Sequence, residues 1–521
     1  MGTEVPKADA WTSKALDLKA MAGKVVEISL KVSGEVSDKA PMSIAGGVFG
    51  APRAFKAIKP RKPAKHVVVY LIDTLRYDKI GVYNPKSSVK TPHFDAFAKD
   101  AAIFEAGYDA ENWTKPSTAT ILTGLYPWNH RTKDGKSKLP ESVTTLGEHL
   151  RAQKFRTGGF IANGYVSRKF GFGTGWDRYT NYIREKRVTD AGNLVDDALA
   201  WIDKQDQNRF FAYIHTIDPH VPYSAPWPWK LGHWEALGRG PYKGSLKAQN
   251  TGTQIADIKS GKLKPDGDDR AFFQALYDGE VAYNDNEFGR LLEGLKKRGI
   301  YDETLIIVLA DHGEEFWDHG SVGHGHSLYD EMVHTPLIVR HPGTTPAGVR
   351  LPEVVSTAAM VPSVLDVLGV APMEGLDALS WMEIFEGGEV ARPGVALTDF
   401  MYRQKSIRVG RVHWLTNGTK GPLYDVVADP GETKDLSATH PIALAFARAH
   451  FGFFMGASDH ARWWVDQARA KRQAPAEEVA DIDDELARQL EAMGYIEGAT
   501  SEHSPEEDRK IMEKEDGSKA P

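Results

Sequence analysis

The chain of 521 residues contains no cysteine. That absence removes disulfides, thiolate metal sites and thiol catalysis from its chemistry. No run reaches about 18 consecutive apolar residues, so no transmembrane helix is expected. The start, Met1-Gly2-Thr3-Glu4, lacks the charged-then-apolar order of a secretory leader. No strongly basic domain stands out. With 64 Lys and Arg against 71 Asp and Glu, the formal net charge is −7, which argues against nucleic acid as a partner. No internal repeat or sustained heptad appears.

What is present is a large apolar and aromatic complement. The 41% hydrophobic content supplies a sizeable core, and 13 Trp with 18 Tyr are unlike a disordered chain. The length suits two to four domains, or one large α/β domain with additions. The texture predicts an N-terminal β segment over 1–60, a main α/β region over 61–395, a small α+β subdomain over 396–470 and a helical, charged tail over 471–521. The β reading of the first segment rests on runs such as Lys24–Val32, rich in β-branched residues.

Three apolar runs read as strands buried on both faces, namely His66–Ile72, Arg209–His215 and Thr304–Ala310. Pro336–Arg340 reads as a fourth, and Thr157–Ala162, ending at Asn163, as another. Helical spacing separates them: Thr91-Pro92 opens one helix, Ser142–Ala152, Val188–Lys204 and Phe272–Arg298 are others, and Ser356–Leu368 follows. This alternation predicts a mostly parallel sheet with helices on both faces. Short strands at 406–409, 412–415 and 422–425 predict a small antiparallel sheet beyond it. Residues 224–270, rich in Trp, Gly, Lys and Pro, read as a long insertion that serves as a substrate lid or packs as a surface patch.

Chemistry concentrates at the strand ends. The three buried runs are followed by Asp73, Asp218 and Asp311, with His220 and His312 beside the last two. A carboxylate just past a central parallel strand stands where α/β sheets place their sites. Asn112-Trp113-Thr114-Lys115-Pro116 then sets a hydroxyl at a helix start, where free N–H groups favour an anion. Hydrolysis of a sulfate or phosphate ester needs an in-line nucleophile and cations on the equatorial oxygens. Asp oxygens suit Ca²⁺, Mg²⁺ or Mn²⁺, and added imidazole shifts the balance toward Zn²⁺ or Mn²⁺. A metal on the Thr114 hydroxyl would make it nucleophilic. Lys115, Thr118, Asn112 and Asn163 are candidate contacts to the substrate anion, and Glu314, Glu315 and His319 are candidate supports of the metal.

Val68–Tyr83, Pro116–Pro127, Phe210–Tyr223 and Leu305–Leu337, with Leu423-Tyr424-Asp425 and Asp429-Pro430 further on, resemble the sulfatase family of the alkaline phosphatase superfamily. The resemblance covers roughly residues 64–440. It implies that Asp73, Asp311 and His312 are metal ligands, that Thr114 holds the nucleophile position and that His220 meets the substrate anion or leaving group. It also sets His324 or His326 near an anion-binding Lys of the family. Thr74 stands where many members have a second Asp. Family members that form formylglycine carry Cys or Ser, then Pro and Arg; here the corresponding residues are Thr114, Pro116 and Thr118. A Thr cannot become that aldehyde, so a phosphodiester or phosphonate ester is expected over a sulfate ester. The alternatives are a sulfuric ester hydrolase working without formylglycine and a non-catalytic member that binds an anionic ligand. One divalent ion is expected. A second, on Asp218, His220 and His324 or His326, is the two-metal variant. The resemblance also implies a small-molecule, glycan or lipid-linked anionic ester as substrate, and a periplasmic or secreted location.

Overall fold

The computed structural model describes residues 63–385, 394–401, 404–417, 420–456 and 478–492. The β segment expected over 1–60 and the charged tail beyond about 500 lie outside the described residues. The centre is an eight-stranded sheet. Its strands in chain order are β1 (His66–Ile72), β2 (Ala102–Tyr108), β3 (Arg156–Ile161), β4 (Arg178–Asn181), β5 (Phe210–Thr216), β6 (Thr304–Ala310), β7 (His334–Arg340) and β8 (Val349–Ser356). Across the sheet they run β8-β2-β7-β6-β1-β5-β3-β4. β1 pairs in parallel with both β5 and β6, and β3 with β4 and β5. Only β7 breaks the direction, pairing antiparallel with β2 and β6. Its register with β2 shifts between Thr335 and Leu337, where Pro336 has no N–H to give the ladder. The Tyr83 hydroxyl supplies a partner there, accepting from the Leu337 N–H at 2.8 Å.

Both faces of the sheet are covered, as its continuous apolar strands require. Side chains alternate along a strand. Val68, Tyr70 and Ile72 enter one core, with Phe288, Leu291 and Leu295 of the long helix Gly267–Lys297. Val67, Val69 and Leu71 enter the other, with Ile121 and Leu122 of the helix Thr114–Thr123 and with Val364, Leu365 and Leu368 of Met360–Leu368. Thr91 holds the position before the helix Pro92–Ala98, as expected, but makes no side-chain cap. Asp285 caps it from the long helix instead, accepting from the N–H groups of His93 at 3.1 Å and Phe94 at 2.7 Å.

A four-stranded antiparallel sheet of residues 395–400, 404–409, 412–416 and 423–425 follows. Its first strand braces the approach to Thr114: the Asp399 N–H donates to Ala110 O and the Thr398 hydroxyl to Asp109 O. The insertion at 224–270 contains the helices Trp229–Ala236 and Thr251–Lys259. Of its tryptophans, Trp234 is buried against Phe272 and Tyr242, Trp229 packs on Tyr283 and Trp227 is 79% exposed. No described helix is long and apolar enough to cross a membrane.

Candidate metal centre and nucleophile

Four neighbouring strands, β6-β1-β5-β3, deliver one cluster at their C-terminal ends. Asp311 follows β6, Asp73 follows β1, His215 lies one residue before the end of β5 and Asn163 lies two residues past β3. The two-residue alternation explains why these side chains meet. Asp73 continues the series Val67, Val69, Leu71; His215 continues Phe211, Tyr213; Asp311 continues Leu305, Ile307, Leu309; Asn163 continues Ile161. All four series belong to the face that packs on the helix Thr114–Thr123, and Thr114 is that helix's first residue.

The distances are short. The Thr114 Oγ1 lies 3.2 Å from His312 Nε2, 3.5 Å from Asp73 Oδ1 and 3.4 Å from Asn163 Nδ2. Asn163 donates to Asp73 Oδ2 at 2.7 Å. His215 Nε2 stands 3.3 Å from Asp73 Oδ2 and 3.9 Å from Asp311 Oδ2, and His312 Nε2 stands 3.5 Å from Asp73 and 3.8 Å from Asp311. The His312 Nδ1–H donates to Gly313 O at 2.9 Å, which leaves the Nε2 lone pair facing Thr114. Gly313 permits the turn: a Cβ there would lie 2.0 Å from the Glu331 carbonyl oxygen.

Every group in the cluster is buried. Burial raises the Asp73 carboxyl to about 6, opposed by His220 and the Asn163 hydrogen bond. Burial and the Asp73 charge push Asp311 well above the usual carboxylate range. Burial lowers His215 to about 4, and burial together with His324 holds His312 well below 6.5. Asp311 Oδ2 has no hydrogen-bond partner among the described residues. Two desolvated carboxylates with an unmatched oxygen, beside neutral imidazoles, form the environment that a divalent cation stabilises. Asp73, Asp311, His312 and Thr114 fit such an ion.

A second tier surrounds the cluster. The His324 ring lies 4.6 Å from His312 and 4.9 Å from His220, centroid to centroid. Its Nδ1 meets Glu314 Oε2 at 3.2 Å, and burial raises Glu314 to about 7. His220 Nδ1–H donates to Val221 O at 2.6 Å. Asn112 ties the His324–Ser327 loop to the nucleophile turn, through Nδ2 to Ser327 O at 2.7 Å and through its carbonyl to Gly325 N at 3.2 Å. Thr118 is buried one turn beyond Thr114, against the Tyr213 hydroxyl.

Three expected residues point elsewhere. Lys115, expected at the substrate, donates to the carbonyls of Gly135 at 3.0 Å and Ser137 at 2.8 Å, under the Phe170 and Tyr165 rings. Consecutive helix residues are rotated by about 100°, so Lys115 cannot share the direction of Thr114. Asp218, expected for a second ion, accepts from the Ala191 N–H at 2.8 Å at the start of the helix Ala191–Ile202, and it shares a hydrogen bond with the Glu280 carboxyl. It stands an odd number of residues beyond His215 and so faces the opposite core. His326 turns out to Glu315, with Nε2 2.7 Å from Oε2. Conversely, His215 escaped the sequence reading. Its signal was a lone imidazole at even spacing after Phe211 and Tyr213, in a strand bordering the one that ends at Asp73.

Strong backbone strain sits beside the cluster. Thr74 has φ 58°, rare for a β-branched residue, and its N–H donates to Asp311 Oδ1 at 3.3 Å while its carbonyl accepts from Tyr277 at 2.8 Å.

Comparison with known proteins gives the family and the fold. The sulfatase family model matches residues 65–370. An ulvan-active sulfatase of Formosa agariphila is 23% identical over 367 residues, which cover 64% of this chain and 57% of that protein. An uncharacterised sulfatase of Escherichia coli, YidJ, is 22% identical over 318 residues, covering 52% of this chain and 62% of the relative. The chain thus spans about three fifths of the length of these two relatives. Among solved structures, the phosphonate monoester hydrolase of Agrobacterium radiobacter superposes with a TM-score of 0.62 at 22% identity, covering 75% of this chain and 95% of that one. With the family model matching more than half its length, the chain belongs to the sulfatase family.

Proposed function

We propose that the protein is a metal-dependent hydrolase that cleaves an anionic ester, a phosphodiester or phosphonate ester in preference to a sulfate ester, with Thr114 as nucleophile. The observation that carries this reading is the Thr114 hydroxyl, first in its helix, 3.2 Å from a His312 Nε2 whose other nitrogen is fixed by Gly313. A Thr, with its β-methyl, cannot be oxidised to the formylglycine aldehyde, and a Thr ester of a phosphoryl centre is a stable enough adduct to be an intermediate.

Asp73, Asp311, His312 and Thr114 would hold a divalent ion, which when bound would lower the hydroxyl pKa and offset charge on the equatorial oxygens. Asn163 orients Asp73 and lies 3.4 Å from the Thr114 oxygen. His220 and His324 stand on the side of the leaving group. An incoming anion favours their imidazolium forms, and either ring then gives a proton to the departing oxygen. The oxygen of Thr114 gives its proton to solvent and forms a bond to the phosphoryl centre as the ester oxygen leaves with the imidazolium proton; water then breaks that bond, its hydroxyl passing to phosphorus and its proton restoring the Thr114 hydroxyl. The phosphonate monoester hydrolase of Agrobacterium radiobacter shares this fold.

The test incubates the metal-loaded full chain with an aryl phosphodiester, an aryl phosphonate monoester and an aryl sulfate, followed by acid quench and mass spectrometry. Faster cleavage of the phosphorus esters and a phosphorylated Thr114 peptide are expected. Preference for the sulfate, or turnover persisting in Thr114→Val, overturns the reading.

A further inference from the structure

The strand-end cluster contains one imidazole with no assigned part, His215. Position 74, where the sequence resemblance calls for a second carboxylate, is a Thr whose buried hydroxyl has no hydrogen-bond partner among the described residues. Among the described residues, Asp73 and Asp311 are the acidic donors grouped at the centre. On the neighbouring strand, β5 pairs His215 with Leu71, two residues before Asp73.

His215 Nε2, one oxygen of Asp73 and one of Asp311 all lie within 4.8 Å of one another. Donors about 2.1 Å from one shared ion stand between about 3.0 and 4.2 Å apart. The observed separations fall in that range: 3.3 and 3.9 Å from His215, and 3.5 and 3.8 Å from His312, to the same two carboxylates. The His215 Nδ1 lies 3.4 Å from the Tyr213 hydroxyl, the outer contact that orients a ligating imidazole. A plain hydrogen bond explains His215 less well. Asp73 Oδ2 already receives Asn163 at 2.7 Å, whereas Asp311 Oδ2 receives nothing. An Nε2–H at 3.3 Å serves the oxygen that is already supplied; a cation serves both.

We infer that His215 is a ligand of the divalent ion, taking the place of a carboxylate at position 74, and that the resulting set of two carboxylates, two imidazoles and one hydroxyl selects Zn²⁺ or Mn²⁺ over Ca²⁺. Imidazole suits the borderline transition metals, and Ca²⁺ asks for six to eight oxygens. The inference rests on the metal centre proposed above and not on the substrate assigned to it.

The experiment measures Zn²⁺, Mn²⁺ and Ca²⁺ binding to the full chain by calorimetry, each metal added alone. Wild type should prefer Zn²⁺ and Mn²⁺. His215→Ala should lose at least about tenfold in Zn²⁺ affinity, the scale of a lost or disordered ligand, with a smaller loss for Ca²⁺. Thr74→Asp in that background should shift preference back toward Ca²⁺; Asp tolerates the left-handed backbone of position 74 better than Thr. Pulsed electron paramagnetic resonance of the Cu²⁺-loaded wild type needs no variant and should count two coordinated imidazoles. One imidazole, or unchanged Zn²⁺ affinity in a folded His215→Ala, overturns the inference. Two imidazoles in a protein that cleaves no ester uphold it and overturn the proposed activity instead.

Discussion

Replacing Thr114 by Ser and by Val separates what its hydroxyl does in folding from what it does in chemistry. The side chain is wholly buried. Thr114→Ser deletes one buried methyl and costs about 1 kcal/mol of stability. Thr114→Val keeps the shape but removes the oxygen that lies 3.2 Å from His312, 3.5 Å from Asp73 and 3.4 Å from Asn163. Leaving those polar groups short of a partner costs about 1–3 kcal/mol. The two variants are therefore similar in stability, as urea denaturation of the metal-free chain should show. Turnover should divide them. Ser retains an oxygen at the same place and should stay within about tenfold of wild type, whereas Val has no nucleophile and should fall by at least about 10³-fold, or ~4 kcal/mol. The assay is initial-rate hydrolysis of an aryl phosphodiester at saturating metal. Equal loss in Ser and Val, or Val within tenfold of wild type, refutes the nucleophile.

Other outcomes follow from individual contacts. Asn163→Ala removes the 2.7 Å hydrogen bond to Asp73 and should lower kcat/KM by about 10–100-fold, matching about 1.5–3 kcal/mol for a bond to a charged acceptor, with KM for metal rising in the same titration. Lys115→Met removes the ammonium held by Gly135 and Ser137 and should change thermal stability while leaving KM for an anionic ester unchanged; a large rise in KM would place Lys115 at the substrate after all. Asp285, which caps the helix Pro92–Ala98, has its carboxyl raised by burial to about 7. A raised carboxyl contributes stability that is full below the unfolded value near 4 and is lost as pH rises through 7. That loss is about 4 kcal/mol, so Asp285→Asn should flatten the stability decline between pH 4 and 7; an unchanged slope contradicts the assignment.

The opposite fates of predicted residues have a common origin. Asp73, Asp311 and Thr114 were legible because each follows or opens a strongly patterned element, and those elements form where expected. The strands β2, β4 and β8 were not read, since short or Gly- and polar-rich stretches give weak periodicity. The helix expected at Ser142–Ala152 begins at Leu146, where Thr145 and Glu148 form a capping box. Direction was beyond local pattern too. The reversal of β7 relative to its neighbours depends on pairings with residues far away in the chain.

By itself the sequence determined the layered α/β architecture, the strand ends that carry acid and imidazole, and a Thr in place of an oxidisable Cys or Ser. Periodicity and end residues are local properties, so they survive without coordinates. Only the tertiary structure decided which side chains converge. It brought His215 to the two carboxylates and turned Asp218, Lys115 and His326 away. The physical reason is rotation: one residue flips a strand side chain to the other face and turns a helix residue by about 100°, so convergence depends on register set across more than a hundred residues.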